Sequence, residues 1–325
     1  MHTIPEYHTF FSDFLNEKIQ PKSPATLYKP ISYILELGGK RLRPTLTLLT
    51  TEIFGGSYQN ALPAALAIEL FHNFSLIHDD IMDAAPLRRG KPTVHKKWDV
   101  NTGILSGDAI LIESYRFFEV YEPDLFQKLV ALFSKTALQV CEGQQFDMDF
   151  ERQKEVAIED YLHMIEFKTA VLVGTAMQLG AIIAGCPEED QKAIYNFGKY
   201  LGIAFQLQDD YLDTFGNPET FGKQIGGDII ENKKTYLYLK ALHNASVKQK
   251  KILFNLFSSE NSIPTEEKIR KVSSLYREIK ADQAIRTAIK NYTDNAFSTL
   301  NTITISEDKK EVLRQFGQNL MNRNV

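Results

Sequence analysis

The sequence predicts an all-α fold, a large helical bundle of roughly ten or more helices, on three observations. Apolar residues recur at helical spacing almost throughout the chain, and clean period-two stretches with hairpin turns are hard to find. No Pro/Gly/Ser-rich linker or low-complexity segment divides the 325 residues, so one domain spanning 1–325 is expected. The composition, 43% hydrophobic and 24% charged, leaves ample material for a large core. The net charge of -4 argues against a general nucleic-acid surface, although basic residues cluster locally.

In order along the chain, Tyr7, Phe10, Phe11 and Phe14 follow the spacing of one helix face. A second helix ends through Ile34-Leu35-Glu36-Leu37 at Gly38-Gly39. A third apolar run leads through Glu69 to Asp83 and is expected to stop at Pro86. Helical stretches follow over about 104–118 and 125–149. The segment from Ile165 to Ala170 opens an apolar helix running to Cys186, which is short for a membrane span and carries Gln178 and three glycines. It reads as a buried core helix. Further helices end near Gly216 to Pro218 and include Ile285, Ala288, Ile289, Tyr292 and Ala296. The last is capped by Ser306, carries Glu307 and Asp308 in its first turn, and buries Val312, Leu313, Phe316 and Leu320. Only Cys141 and Cys186 are present, which suits a reducing compartment, and the N-terminus lacks the pattern of a signal peptide. A cytoplasmic protein without a transmembrane segment is expected.

Two acidic clusters carry the chemistry: Asp79-Asp80-Ile81-Met82-Asp83 and Asp209-Asp210-Tyr211-Leu212-Asp213. On a helix, residues four apart share a face, so Asp79 stacks with Asp83 and Asp209 with Asp213. Such like-charged pairs repel, and a hard cation such as Mg²⁺, shared with substrate phosphates, is the fitting neutraliser.

Basic segments accompany both clusters. Gly38-Gly39-Lys40-Arg41-Leu42-Arg43-Pro44 reads alone as a helix C-cap with solvated charges, although cations beside a glycine turn also suit phosphate. Arg88-Arg89-Gly90-Lys91 places three cations a few residues after the first cluster; a surface ion-pair network is one reading, but such networks contribute little to stability, and a shared anion explains both signs of charge at once. Lys168-Thr169 holds either a phosphate or merely a snorkelling lysine. After the second cluster come Gly222-Lys223, Gly226-Gly227-Asp228 and Asn232-Lys233-Lys234, a long polar loop of the kind more often functional than not. Beneath the first cluster, Phe71, Phe74 and Ser75 lie on the face of Asp79; Phe74, five residues back, is about 7.5 Å down the axis.

In combination these segments resemble the trans-isoprenyl diphosphate synthases, the polyprenyl synthetase family. DDxxD followed by RRGxPxxH matches Asp79 through His95, FQLQDDYLD matches the second motif, and GGKRLRP and Lys168-Thr169 match in the expected order. The resemblance covers essentially the whole chain. It departs from the family in Asn232, where many bacterial members have glycine, and in Ala84-Ala85, which replace a frequent acidic residue. The resemblance implies a short-chain prenyltransferase. An allylic diphosphate ionises, the double bond of isopentenyl diphosphate attacks the cation, and proton loss restores an alkene. It implies Mg²⁺, three ions with substrate bound, ligated by Asp79, Asp83 and Asp209, with Asp80, Asp210 and Asp213 as supporting carboxylates. Arg88, Lys168, Lys223 and Lys233 are implied to hold the allylic diphosphate, with Thr169 and Gln206 near its reacting carbon. Lys40, Arg43, His72 and Arg89 are implied to hold isopentenyl diphosphate, and the enzyme to be a homodimer.

In the family, bulk below the first DDxxD limits product length. Phe74, with small Ser75 above it, Phe71 a turn lower and no insertion in the motif, implies C20 geranylgeranyl diphosphate, with C15 farnesyl diphosphate as the first alternative and a longer polyprenyl chain as the second. A class I terpene cyclase is disfavoured because the second motif is again DDxxD, and a squalene-synthase-like enzyme because GGKRLRP is present. A non-catalytic subunit is disfavoured because all six aspartates are intact. An HD-type phosphohydrolase lacks an evident ligand set.

Overall fold

The computed structural model describes residues 1–153, 155–217, 225–258 and 263–322. In chain order its elements are α1 (Ile4–Lys18), α2 (Ala25–Glu36), α3 (Leu42–Ile53), α4 (Tyr58–Met82), β1 (Leu87–Arg88), β2 (Lys91–Pro92), α5 (Val94–Lys97), α6 (Val100–Arg116) and α7 (Pro123–Arg152). There follow α8 (Ile158–Ile165), a π-helical turn (Glu166–Ala170), α9 (Val171–Ile183), α10 (Glu188–Phe215), α11 (Gly227–Ile230), α12 (Tyr236–Asn244), α13 (Val247–Leu256), α14 (Thr265–Glu278), α15 (Ala281–Thr302) and α16 (Glu307–Met321). The fold is all-α, as the periodicity predicts; among the described residues the only sheet is the β1–β2 pair. The chain groups into two compact units, Met1–Leu138 with Leu172–Tyr195, and Gln139–Val171 with Asn196–Val325.

In the first unit α4 is the central helix. Its residues Ala61, Ala64 to Phe71, Asn73, Ile77 and Asp80 are buried, a burial wider than one stripe, as expected for a helix enclosed by neighbours. Small residues let α6 approach it: a Cβ at Gly107 would collide with the His78 ring, and one at Gly103 would lie 2.8 Å from Ile81 Cδ1. On α3, Thr47 and Thr51 donate to the carbonyls of Ala176 (2.9 Å) and Gly180 (3.2 Å) on α9, where Gly180 admits the α3 backbone. The α1 helix buries Tyr7, Phe11 and Leu15, a strict i, i+4 row, so Phe10 and Phe14 sit beside the core face rather than on it.

The second unit is built on Phe150, Tyr161, Met164, Leu207, Leu237, Tyr276 and Ile285. On α16, Ser306 is the N-cap residue; Leu313 and Leu320 are buried, and Val312 and Phe316 are half-buried. The helix expected to open near Ile165 starts earlier, and Ile158–Ile183 is one helical run interrupted by the π turn. By length and composition this run is the one candidate membrane span among the described residues, yet 72% of its apolar window is buried within the protein, as in a core helix.

Candidate active site

The first acidic cluster sits at the end of α4. Asp83 is the C-cap residue, and its N–H still reaches the Asp79 carbonyl at 2.9 Å, so the two remain one turn apart. The helix ends before Pro86, because Ala84 takes a left-handed conformation (φ 51°). Asp83 is exposed and Asp79 is 21% exposed, whereas Asp80 is 2% exposed. Asp80 accepts a two-pronged pair of hydrogen bonds from Arg88, 2.8 Å from Nε and 2.7 Å from Nη2. Burial raises the Asp80 pKa and the Arg88 bonds only partly oppose it. Burial likewise works against the charge of Arg88, but Asp80, Asp79 and Asp83 together keep its pKa above the ordinary value.

Arg88 belongs to a hairpin that the sequence pattern did not announce. Leu87 pairs with Pro92 and Arg88 with Lys91, and the two central residues Arg89 and Gly90 both have positive φ (52° and 73°), as a primed hairpin turn requires. Thr93 closes its base, donating from Oγ1 to the Ala85 carbonyl at 2.7 Å. The Arg-Gly pair was the available signal. Arg89 then reaches back to donate to the Gly38 carbonyl, and a Cβ at Gly39 would come within 2.8 Å of its Nη2. The glycines of GGKRLRP thus leave room for a guanidinium as well as turning the chain.

Of the other cations in that segment, Arg43 Nη1 lies 3.3 Å from His72 Nε2, which acts as acceptor because guanidinium only donates. Desolvation, then the charges of Arg43, Arg89, Arg88 and Arg41, hold the His72 pKa well below the ordinary imidazole value. Lys40 is exposed. Arg41 is different: it is buried, paired with Glu69 and donating to the Leu35 carbonyl, with Asn73 also donating to Glu69 at 3.1 Å. Its place is structural, and nothing in a run of three cations distinguishes it.

Below Asp79, Phe74 is half-buried, with ring centroids 5.5 Å from Phe71 and 4.7 Å from His78. Phe71 is enclosed in the core, edge-on to Phe133 at 5.4 Å. Ser75 donates to the His72 carbonyl at 2.9 Å, so its hydroxyl is turned along its own helix.

The second cluster repeats the division of labour inside its own unit. Asp209 and Asp213 are half-buried, while the middle carboxylate, Asp210, is 4% exposed. Asp210 accepts from Tyr161 and, at 3.2 Å, from Gln206 Nε2; Gln206 Oε1 in turn accepts from Thr169 at 3.2 Å. Burial and the nearby charge of Asp228 push the Asp210 pKa well up. Asp213 receives the Asp228 N–H at 3.1 Å, and burial with Asp213 drives Asp228 up to about 7. Lys168, in the π turn, pairs with Asp147 at 2.6 Å, and Lys233 pairs with Glu231 at 2.9 Å. Lys234 donates to the carbonyls of Phe150 (2.5 Å) and Gln153 (2.6 Å) and so caps α7. Lys223 lies outside the described residues. Asp228 belongs to the Gly226-Gly227-Asp228 segment of the polar loop, whereas Tyr161 and Asp147 fall in no motif; Tyr161 stands 49 positions from Asp210 and carries no local signature.

The donors offered outward are all carboxylates at one-turn spacing, which fits a hard cation. Among the described residues no three His, Cys, Asp or Glu side chains converge into a ready-made cage. Mg²⁺ needs none when one or two carboxylates and substrate phosphates share it.

The polyprenyl synthetase profile matches residues 24–279. A geranylgeranyl diphosphate synthase of Methanosarcina mazei is 42% identical over 229 residues, 70% of this chain and 71% of that protein. Among solved structures, a geranylgeranyl pyrophosphate synthase is 51% identical with a TM-score of 0.96 over all of both chains. The geranylgeranyl pyrophosphate synthetase of Pyrococcus horikoshii Ot3 is 33% identical with a TM-score of 0.92, covering 99% and 97%. With two DDxxD clusters built alike and a profile that spans most of its length, the chain belongs to the polyprenyl synthetase family.

Proposed function

We propose that the protein is a short-chain trans-prenyltransferase that joins isopentenyl diphosphate head-to-tail to an allylic diphosphate and releases C20 geranylgeranyl diphosphate. The observation that carries the reaction class is the repeated arrangement of the two acidic clusters. In each, the middle carboxylate is withdrawn and tied, Asp80 to Arg88 and Asp210 to Tyr161 and Gln206. The first and last are less enclosed: Asp83 is exposed, and Asp79, Asp209 and Asp213 are half-buried. C20 is supported by the names of the relatives and by the half-buried Phe74 one to two turns below Asp79.

Bound Mg²⁺ supplies positive charge to the leaving diphosphate; about 4 kcal/mol per pair of unit charges 4 Å apart at an effective dielectric near 20 sets the scale. In this assignment Asp79, Asp83 and Asp209 hold the metal, and Asp80, Asp210 and Asp213 orient the neighbouring groups. Arg88, Lys168, Lys223 and Lys233 hold the allylic diphosphate, with Thr169 and Gln206 beside its reacting carbon. Lys40, Arg43, His72 and Arg89 hold isopentenyl diphosphate. The neutral state of His72 suits that task, because its Nε2 accepts from Arg43 and leaves the guanidinium oriented rather than repelled. We read the enzyme as a cytoplasmic homodimer; the free thiols of Cys141 and Cys186 are consistent with a reducing compartment.

The test is incubation of the purified chain with labelled isopentenyl diphosphate, Mg²⁺ and, in separate reactions, dimethylallyl, geranyl or farnesyl diphosphate, followed by chromatography of the dephosphorylated products. A C20 alcohol that disappears when EDTA replaces Mg²⁺ is expected. Product of any other length overturns the length assignment, and metal-independent turnover overturns the roles of the aspartates.

A further inference from the structure

Arg89 is held in a backbone conformation that a non-glycine residue disfavours: its φ is 52°, which costs on the order of 1–2 kcal/mol. The two-residue turn requires it, and contacts from outside the hairpin hold the turn in place. Two contacts come from one short stretch, the end of α2 and the turn after it. The Gly38 carbonyl accepts from the Arg89 guanidinium, and Tyr33 Oη donates to the Pro92 carbonyl at 2.7 Å. Pro92 is the residue paired with Leu87, directly before Arg88. Tyr33 is itself braced. Lys97 Nζ lies 3.7 Å from the centroid of its ring, and Trp98 meets that ring edge-on at 5.3 Å; Lys97 also stands 5.0 Å over Trp98.

We infer that Tyr33 is a positioning residue for isopentenyl diphosphate: through the Pro92 carbonyl it fixes the hairpin so that Arg89 keeps its strained conformation beside Gly38-Gly39. Given that Arg89 receives that diphosphate as proposed above, loosening the hairpin lowers affinity for isopentenyl diphosphate without removing any group that touches it. Trp98 is the sole tryptophan of the chain and sits in the brace, so its fluorescence reports the state of this contact.

The experiment compares the full-length wild type with Tyr33→Phe, which keeps the ring and its stacking but lacks the hydroxyl, and with Arg89→Gln. Steady-state kinetics are run with isopentenyl diphosphate varied at saturating allylic substrate, then the reverse. Trp98 emission is titrated with inorganic pyrophosphate. Tyr33→Phe should raise KM for isopentenyl diphosphate at least fivefold while kcat and the allylic KM change less than twofold. The pyrophosphate midpoint at Trp98 should shift in the same direction. Should Tyr33→Phe fail to fold, the wild-type titration decides alone: a saturable Trp98 response supports the coupling and a flat trace overturns it. An unchanged KM in a folded Tyr33→Phe chain, or an equal loss in kcat and both KM values, also overturns the positioning role. If Arg89→Gln itself leaves KM for isopentenyl diphosphate unchanged, it is the assignment of Arg89 that fails. If Arg89→Gln raises it and Tyr33→Phe does not, only the role of Tyr33 fails.

Discussion

Arg88 grips Asp80 through Nε and Nη2 at 2.8 and 2.7 Å, while Nη2 stays 3.5 Å from Asp79. Asp80 is 2% exposed and Arg88 22% exposed, so one carboxylate of the first cluster is bound up with the protein's own cation and the next is left beside it. The two neighbouring aspartates therefore differ in what they contribute. One secures the hairpin, and the other is the candidate for metal.

This separates Asp80→Ala from Asp83→Ala. Removing Asp80 leaves a largely buried guanidinium without its fork, and breaking such a pair costs up to about 3–5 kcal/mol, reduced here to roughly 1–3 because Arg88 keeps some contact with water. Asp83 is exposed, so its removal should cost much less stability than removal of Asp80. Thermal melting monitored by circular dichroism should show a lowered Tm for Asp80→Ala only, while turnover falls at least a hundredfold in both. Equal melting of the two variants would contradict the division of roles.

The aromatic pair beneath Asp79 divides in a similar way. Phe71 is 1% exposed and packs on Phe133; its truncation to Ala opens a core cavity and should cost about 3–5 kcal/mol. Phe74 is only half-buried, so Phe74→Ala should cost less and lengthen the product beyond C20. Product chromatography with a melting curve for each variant checks both. Unchanged product length in Phe74→Ala would reject Phe74 as the floor.

Much of this was legible in the sequence, and the limits have physical causes. The all-α class follows from helical periodicity, and the carboxylate spacing from helical geometry alone. Local patterns do not contain long-range partners. Tyr161 reaches Asp210, and Arg41 reaches Glu69, only because separate helices pack. The π turn at Lys168 likewise lies against a distant residue, Gly143, whose missing Cβ leaves room for its backbone. The hairpin is invisible to periodicity because two-residue strands carry no alternation to read.

His72 gives a pH signature. Its folded pKa is depressed, whereas the unfolded chain titrates near the ordinary value of about 6.5. Below that pH the unfolded state binds the extra proton first, so stability is full above about 6.5 and declines as pH falls toward the folded value. The His72 ring resonances should stay flat from about pH 7.5 to 6, and His72→Gln should lessen the loss of Tm on acidification. A His72 titration midpoint at or above the ordinary value would refute the cationic surroundings assigned to it.

Gly143 on α7 offers a test of the π turn. A Cβ there would overlap Lys168 N and lie 2.7 Å from both Lys168 Cα and the Phe167 carbonyl carbon, all backbone atoms that have no rotamer to move out of the way. Gly143→Ala must therefore displace the turn. Overpacking of this kind typically costs about 1–3 kcal/mol. The displaced residues are Lys168, now 2.6 Å from Asp147, and Thr169, now 3.2 Å from Gln206. Both belong to the proposed allylic side of the chemistry. Gly143→Ala should thus lower Tm and reduce kcat/KM for the allylic substrate tenfold or more. KM for isopentenyl diphosphate, assigned to Lys40, Arg43, His72 and Arg89, should stay within twofold. Kinetics with each substrate varied in turn measure the split. A uniform loss in both would mean that the π turn serves the fold of its unit rather than the placement of Lys168 and Thr169.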